Sequence, residues 1–197
     1  MGICMNKKKI VLTGGPGGGK TTATDLFRRE FSKDISVVPE AATMLFSAGV
    51  PRNKDAHSLR CIQRAIYNLQ KNNEGLIESL NQHSILICDR GSLDGIAYWP
   101  DSHEDFFKSM NTTIERELSK YHAVIFFETA AKSGSNFTSG NPFRTEGDKE
   151  AIEIDSRLEG IWSQHPRFHL IRSQESFINK IMQGIETIKK TIDSIKS

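Results

Sequence analysis

The chain has 197 residues, of which 26 are Lys or Arg and 24 are Asp or Glu, so its formal net charge is +2. This length is typical of one ordinary domain with a sizeable core, and a composition with 37% hydrophobic and 25% charged residues excludes a wholly disordered chain. The nearly balanced charge gives no reason to expect nucleic acid as a partner.

The cysteines and the amino-terminal segment favour a cytoplasmic protein. Cys4, Cys61 and Cys88 have no metal-binding spacing, and a sparse, odd set of cysteines is typical of reduced thiols. The basic run at 7–9 is not followed by the apolar region of a secretory signal. No apolar run approaches the roughly 20 residues that a membrane helix needs, so we expect no membrane span.

Short apolar runs alternate with longer amphipathic segments, a pattern typical of parallel α/β proteins. The apolar runs predict five strands, at Lys9–Thr13, Ile35–Val38, Ser84–Cys88, Ala123–Phe127 and Phe168–Ile171. The amphipathic segments predict helices at Thr21–Phe31, about 55–82, around 104–120, about 146–162 and at the carboxyl end. No internal repeat or domain boundary interrupts this order, so we expect a single domain over 1–197.

Isoleucines recur in the last predicted helix at spacings of three and four residues, at Ile178, Ile181, Ile185, Ile188, Ile192 and Ile195. Such a stripe favours a helix that docks on its own sheet. The alternative is a heptad-like seam between two chains, although the stripe is shorter than most coiled coils require. The sequence is therefore compatible with a monomer or a homodimer.

A glycine-rich segment lies between the first predicted strand and the first predicted helix. It fits the pattern G-x-x-x-x-G-K-[ST] with Gly14, Gly15, Pro16, Gly17, Gly18, Gly19, Lys20 and Thr21. Glycine lets the backbone curl so that several N–H groups converge on phosphate oxygens, and the helix adds the positive end of its dipole. The segment, with Thr22 after it, predicts a binding site for ATP or GTP.

Two side chains of this phosphate loop are expected to contact the nucleotide or its metal ion directly. Lys20 is expected to reach the β- and γ-phosphates as a catalytic cation, and the Thr21 hydroxyl is expected to ligate Mg²⁺. While the loop is empty, we expect the Lys20 side chain to be exposed.

The third predicted strand runs into Asp89 and Arg90. Because the carboxyl ends of parallel strands line the ligand crevice, we expect Asp89 to face the phosphates and their Mg²⁺; a cap for the next helix is the alternative. An Asp-Arg pair at this place resembles the nucleoside and nucleotide kinases, in which the arginine contacts substrate or phosphate. For Arg90, the alternative is a surface salt bridge.

Nearly the whole chain resembles one branch of the phosphate-loop proteins. This family is named for the ribosylnicotinamide kinase domain of the bacterial regulator NadR and for the fly TRPL translocation defect protein, and it often carries an AAA label. The resemblance is carried by IVLTGGPGGGKTT at Ile10–Thr22, VPEAATML at Val38–Leu45, ICDRGSLDG at Ile87–Gly95, FRTEGDKEAIEID at Phe143–Asp155, WSQHPRF at Trp162–Phe168 and FINK at Phe177–Lys180.

The resemblance implies a three-layer α/β fold with a five-stranded parallel sheet of order 2-3-1-4-5. It also implies a purine nucleoside triphosphate with Mg²⁺ as the bound cofactor. It leaves the phosphoryl acceptor open, because the family includes both a kinase and a GTP-binding regulator.

Two further residues are candidates for the acceptor side of the site. Glu40 follows the second predicted strand, at a place similar to that of a glutamate in deoxynucleoside kinases that contacts the acceptor hydroxyl and can act as general base. Alternatively, Glu40 opens the following helix, since acidic residues favour the first turn. Gln63 resembles a substrate-reading glutamine of related kinases, although an exposed helical glutamine is ordinary.

The polar segment Lys132–Pro142 is the clearest loop in the chain and leads to Arg144. In monophosphate kinases, the segment between the fourth and fifth strands closes over the donor and brings arginines to the transferring phosphoryl group. We therefore expect a mobile lid at about 130–160, with Arg144 as a catalytic residue. The alternative is that Arg144 caps a local loop or pairs with Glu146 or Asp148 on the surface.

These residues support a Mg²⁺-dependent phosphotransferase that acts on a small-molecule acceptor. The alternative is a nucleotide-gated ATPase or GTPase that regulates a partner without such an acceptor. A Ras-like switch predicts the motifs N-K-x-D and D-x-x-G. The segment Asn53-Lys54-Asp55-Ala56 misses the first motif by one position, and no Asp is followed by Gly three residues later, which favours the kinase class.

Overall fold

Short runs of β-branched and aromatic side chains form the strands of one parallel sheet. The computed structural model describes residues 8–31, 35–81, 85–133, 147–174 and 176–196. The strands are β1 (Lys9–Thr13), β2 (Ile35–Val38), β3 (Ile85–Asp89), β4 (Ala123–Phe127) and β5 (Phe168–Ile171). Of the predicted third strand, Ser84 lies outside the described residues, and the strand extends one residue further, to Asp89.

The five strands are hydrogen-bonded in the order β2-β3-β1-β4-β5, and every neighbouring pair is parallel. This order confirms the one that the family resemblance implies. Leu12, near the end of the central strand β1, lies beside Asp89 on one side and Ile125 on the other. The ends of β1 and β3 therefore open at one edge of the sheet, where the phosphate loop begins.

Seven α-helices surround this sheet within the described ranges. They are α1 (Lys20–Glu30), α2 (Ala41–Ser47), α3 (Ala56–Leu80), α4 (His103–Met110), α5 (Ile114–Leu118), α6 (Asp148–Trp162) and α7 (Phe177–Lys196). Two short 3₁₀ helices lie at Asp94–Tyr98 and Ala130–Ser133.

The helix predicted around 104–120 is in fact two helices. α4 ends at Met110, and the following Asn111 stops the helix with a left-handed φ of 51°. Thr113 then caps α5, because its side-chain oxygen accepts a hydrogen bond from the backbone N–H of Arg116. The amphipathic pattern alone did not show this break.

The core consists of two apolar clusters, one on each face of the sheet, because successive side chains of a strand point to opposite faces. One cluster joins Val11, Leu86 and Val124 to side chains of α3, α4 and α6. The other joins Ile10, Leu12 and Ile125 to side chains of α1 and α7. The sheet is thus covered on both faces, as expected for a three-layer α/β fold.

The isoleucine stripe of α7 docks on the sheet, as the favoured interpretation predicted. Ile181, Ile188 and Ile192 are buried in the cluster shared with α1, and Ile185 and Ile195 pack against it. Ile178, in the first turn, differs from the others because it is 72% exposed.

In the part of the chain that the structure describes, no helix combines the length and the apolar character needed to cross a membrane. Of the lid predicted at about 130–160, the structure describes 130–133 and 147–160, while the intervening 134–146 lie outside the described residues. The single-domain assignment over 1–197 and the lid stay predictions.

A tight contact between α7 and β4 provides a test of this packing. A methyl group at Gly184 would lie 2.5 Å from the buried ring of Phe127, whereas one at Gly75, on the exposed side of α3, would meet nothing within 4 Å. We expect Gly184→Ala to lower the free energy of unfolding by about 1–3 kcal/mol through overpacking. Gly75→Ala should raise it by up to about 1 kcal/mol through helix propensity. Urea denaturation measures both changes, and equal effects would contradict the packing.

Candidate active site

The phosphate loop connects β1 to α1 and packs against the end of β4. Gly14 and Gly19 adopt positive φ angles of 129° and 91°, which favour glycine. A Cβ at Gly14 would overlap the carbonyl oxygen of Phe127, and one at Gly18 would lie 2.5 Å from the same oxygen. The glycines are therefore required both for the curl of the loop and for its close approach to the neighbouring strand.

Lys20, the first residue of α1, is buried, so the expectation of an exposed side chain was wrong. Its ammonium group folds back over the loop and donates hydrogen bonds to the carbonyl oxygens of Gly14 at 2.8 Å and Gly15 at 2.6 Å. Burial, together with the nearby charge of Arg90, lowers the pKa of Lys20 to about 7. The loop carbonyls thus hold the ammonium group within the curl of the phosphate loop.

Arg90 lies immediately after β3 with a left-handed φ of 72°. Its guanidinium donates a hydrogen bond to the carbonyl oxygen of Gly14 at 2.6 Å and another to Glu40 at 3.3 Å, and it lies 3.6 Å from the carboxylate of Asp94. Burial opposes its charge, but these carboxylates outweigh burial and raise the pKa of Arg90. Arg90 therefore joins the phosphate loop to the carboxylates on the other side of the crevice and is not a surface salt bridge.

Glu40 connects β2 to α2 and faces Arg90. It is the N-cap residue of α2, yet its side chain makes no capping hydrogen bond. One carboxylate oxygen accepts from Arg90, and the other accepts from the Thr43 hydroxyl at 2.6 Å. Burial raises the pKa of Glu40, but the Arg90 charge outweighs it, and the net pKa is below its ordinary value. The carboxylate is therefore ionised and available as a hydrogen-bond acceptor.

Asp89 ends β3, and Thr21 and Thr22 lie exposed in the first turn of α1. Burial and the negative charge of Glu40 raise the pKa of Asp89 to about 6. Arg90 and Lys20 lower this pKa but do not outweigh burial and Glu40, so a divalent cation next to Asp89 would favour its ionised form. Carboxylate and hydroxyl oxygens are ligands that Mg²⁺ accepts, so the donor set of Asp89 and Thr21 fits this ion.

Two other predicted site residues have different outcomes. Gln63 lies on α3 but is only 6% exposed, and its side-chain oxygen is 3.0 Å from the position that a Cβ on Gly95 would occupy. It is therefore a buried neighbour of the 3₁₀ helix after β3 and not an ordinary surface glutamine. Arg144 lies outside the described residues.

The structure adds a carboxylate that the sequence analysis did not single out. Asp94 is buried, and it accepts hydrogen bonds from the Thr13 hydroxyl at the end of β1 and from the Gly91 N–H at 2.7 Å. It thereby fixes the turn that carries Arg90. The signal was present, because Asp94 belongs to the ICDRGSLDG segment of the family resemblance.

A second carboxylate, Asp155 on α6, also contacts the phosphate loop. It is fully buried, and one of its oxygens accepts from the Gly15 N–H at 2.8 Å. Glu128, Asp155 and Glu159 lie close enough together to suggest a metal site. The Lys132 ammonium, however, lies 2.8 Å from Asp155 and within 3.4 Å of the other two carboxylates. Lysine therefore supplies the positive charge of this cluster.

Comparison with known proteins agrees with this architecture. A family model described as an AAA domain matches residues 9–177. No curated protein sequence matches the chain significantly.

Similar solved structures include thymidylate kinase from Candida albicans, with a TM-score of 0.66 at 15% identity, covering 94% of this chain and 93% of the other. Thymidylate kinase from Ehrlichia chaffeensis has a TM-score of 0.60 at 18% identity, with coverages of 93% and 97%. Deoxyadenosine kinase from M. mycoides, with the products dCMP and dCDP bound, has a TM-score of 0.62 at 12% identity, with coverages of 92% and 99%. At these identities the likeness shows the fold alone.

The raised pKa of Asp89 predicts a pH-dependent cost to stability. Because the folded-state pKa is about 6 against an ordinary 3.8, the folded protein binds more protons than the unfolded chain between these values, and stability falls as pH rises through this window. We expect Asp89→Asn to raise the melting temperature at pH 7 by on the order of 5 °C. The gain should shrink towards zero as pH falls to about 4.

Calorimetric melting temperatures between pH 4 and 8 measure this effect. Asp25→Asn on α1, an exposed acid, is the matched control and should leave the pH profile unchanged. A destabilised Asp89→Asn variant at pH 7 would show that the carboxylate is stabilising as an anion.

Proposed function

Since the chain belongs to the AAA-domain family, we propose that it is a Mg²⁺-dependent phosphotransferase that transfers the γ-phosphoryl group of ATP or GTP to a small-molecule acceptor. The observation that carries the proposal is the grouping of charges at one edge of the sheet. Lys20 and Arg90 share the carbonyl oxygen of Gly14, and Glu40 faces them through Arg90. Such a site can bind a polyphosphate on one side and a hydroxyl acceptor on the other.

Triphosphate binding would exchange the hydrogen bonds of Lys20. Its ammonium would leave the carbonyl oxygens of Gly14 and Gly15 and turn to the phosphate oxygens, while backbone N–H groups at the start of α1 bind the same phosphates. The anionic charge would also raise the pKa of Lys20 from about 7, so the lysine would be fully protonated in the complex.

Thr21 and Asp89 would hold the Mg²⁺ that accompanies the triphosphate. Bound there, the ion would neutralise charge that develops on the phosphate oxygens during transfer. Asp89 would lose its unfavourable environment in the same step, because a cation next to a carboxylate favours its charged form.

Glu40 would act as the general base. Its ionised carboxylate would accept the proton of the acceptor hydroxyl as that oxygen forms a bond to the γ-phosphorus and the nucleoside diphosphate leaves. Arg90 would orient Glu40 and stabilise the charge of the transferring group, because a guanidinium binds carboxylate and phosphate oxygens with several N–H groups at once.

Nucleosides and nucleoside monophosphates are the first acceptor classes to test, because similar structures include thymidylate and deoxyadenosine kinases. The finer resemblance to the kinase domain of NadR adds ribosylnicotinamide to this set. Transfer from labelled ATP and GTP to a panel of these acceptors tests the proposal. Hydrolysis alone, with every acceptor unchanged, would contradict it and favour a nucleotide-gated regulatory protein.

Lys20→Met tests the phosphate side of the site. The variant retains a long apolar stem for the buried position but removes the cation. We expect its affinity for MgATP or MgGTP to fall at least about 30-fold, because a buried charge that pairs with phosphate is lost. Isothermal titration calorimetry measures the affinity, and the circular dichroism spectrum checks the fold. Parent-like binding would contradict the assignment of this loop to phosphate.

Glu40→Gln tests the base. The amide keeps the size of the side chain but cannot take up the proton, so kcat should fall on the order of 10²-fold while the KM for triphosphate changes little. Steady-state kinetics with the acceptor found in the panel measure both constants, and Glu115→Gln, an exposed acid on α5, is the control. A change confined to the KM for the acceptor would assign Glu40 to binding only.

A further inference from the structure

One peptide unit, between Gly14 and Gly15, is held from both of its polar ends. Its carbonyl oxygen accepts hydrogen bonds from Lys20 at 2.8 Å and from Arg90 at 2.6 Å. Its N–H group donates to Asp155 at 2.8 Å. Because the peptide group is planar and the N–H and C=O bonds point in opposite directions, the orientation of one end fixes the other.

Without hydrogen bonds to other parts of the chain, the plane of this peptide could rotate easily. It is flanked by two glycines, and glycine adopts positive and negative φ with similar ease; Gly14 itself has a φ of 129°. Rotation of the peptide plane would turn the carbonyl away from both cations. The hydrogen bond of Asp155 to the N–H group opposes this rotation.

Asp155 is itself firmly held. It is fully buried on α6, and the oxygen that binds Gly15 also accepts from the Thr129 N–H at 2.9 Å. The other oxygen lies 2.8 Å from the Lys132 ammonium, which provides the counter-charge that a buried carboxylate needs.

The close approach of Asp155 also explains why residue 15 is glycine, although the phosphate-loop pattern allows any residue at this position. Gly15 occupies a variable position of G-x-x-x-x-G-K-[ST]. A Cβ there would lie 2.5 Å from the nearer Asp155 oxygen. Gly15 is therefore required by its contact with α6.

We propose that Asp155 is a positioning residue for triphosphate binding, which fixes the Gly14–Gly15 peptide so that the phosphate loop keeps its curl and the Gly14 carbonyl holds Arg90 at the edge of the phosphate site. The proposal rests on the proposed function for its consequence, since it predicts how well a triphosphate binds. The hold on the loop itself is a property of the nucleotide-free protein and can be measured separately.

Three variants separate the hydrogen bond from the charge. Asp155→Ala removes both. Asp155→Asn keeps an oxygen that can accept from Gly15 and Thr129 but removes the negative charge next to Lys132. Glu153→Gln, an exposed acid on the same helix, removes the same charge without contacting the loop.

Hydrogen–deuterium exchange of the nucleotide-free proteins is the first measurement. In Asp155→Ala we expect faster exchange in the peptide that covers residues 14–22, with unchanged exchange in β3 and β4. Asp155→Asn and Glu153→Gln should exchange like the parent. Parent-like exchange in Asp155→Ala, or faster exchange throughout the sheet, would overturn the proposal, because the first shows no hold on the loop and the second shows general destabilisation.

Calorimetric titration with MgATP and MgGTP is the second measurement. Asp155→Ala should bind at least tenfold more weakly, and Asp155→Asn should remain within about threefold of the parent. An equal loss in both variants would overturn the positioning role, because charge and not the hydrogen bond would then be responsible. If Asp155→Ala does not fold, Asp155→Asn still tests the proposal, since faster exchange of residues 14–22 or a tenfold loss of affinity in that variant contradicts it.

The two proposals fail in different ways. A parent protein that binds neither triphosphate contradicts the proposed function, whereas the exchange experiment still shows whether Asp155 holds the loop.

Discussion

The geometry of the candidate site depends on the half-buried guanidinium of Arg90. It donates to the carbonyl oxygen of Gly14 on the phosphate loop and to Glu40 at the start of α2, and it lies beside Asp94. These groups come from three separate strand ends, which the parallel sheet brings to one edge. The guanidinium at their centre is permanently charged and has several N–H donors, so it can interact with the carbonyl oxygen and both carboxylates at once.

Two charged groups near Arg90 lower the stability of the folded state. Lys20 has its pKa lowered to about 7 by burial and by the Arg90 charge, and Asp89 has its pKa raised to about 6 by burial and by Glu40. Both groups are thus held where their charged forms are disfavoured. Perturbed groups of this kind cluster at functional sites, where burial and neighbouring charges shift pKa values.

The helix α6 links the two sides of the crevice. Asp155 of this helix accepts a hydrogen bond from the N–H of Gly15. The ring of Trp162, further along the same helix, packs against Gly91, the residue after Arg90, so that a Cβ on Gly91 would lie 2.6 Å from the ring. One rigid helix therefore contacts both the phosphate loop and the turn that carries the arginine. A shift of α6 would displace both the phosphate loop and the turn that carries Arg90, since closely packed elements transmit displacement.

The sequence by itself determined the alternation of strands and helices, the phosphate loop and the strand-end residues Glu40, Asp89 and Arg90, and the family resemblance supplied the strand order. These features depend on local patterns, in which each residue type is required by its immediate neighbours along the chain. Only the tertiary structure decided that Lys20 is buried, that the helix around 104–120 is broken, and that Asp94 and Asp155 make hydrogen bonds to the candidate site. Their hydrogen bonds to Thr13 and Gly15 join residues 81 and 140 positions apart. No local pattern encodes such a contact, because it exists only after the sheet has brought its strand ends and α6 together.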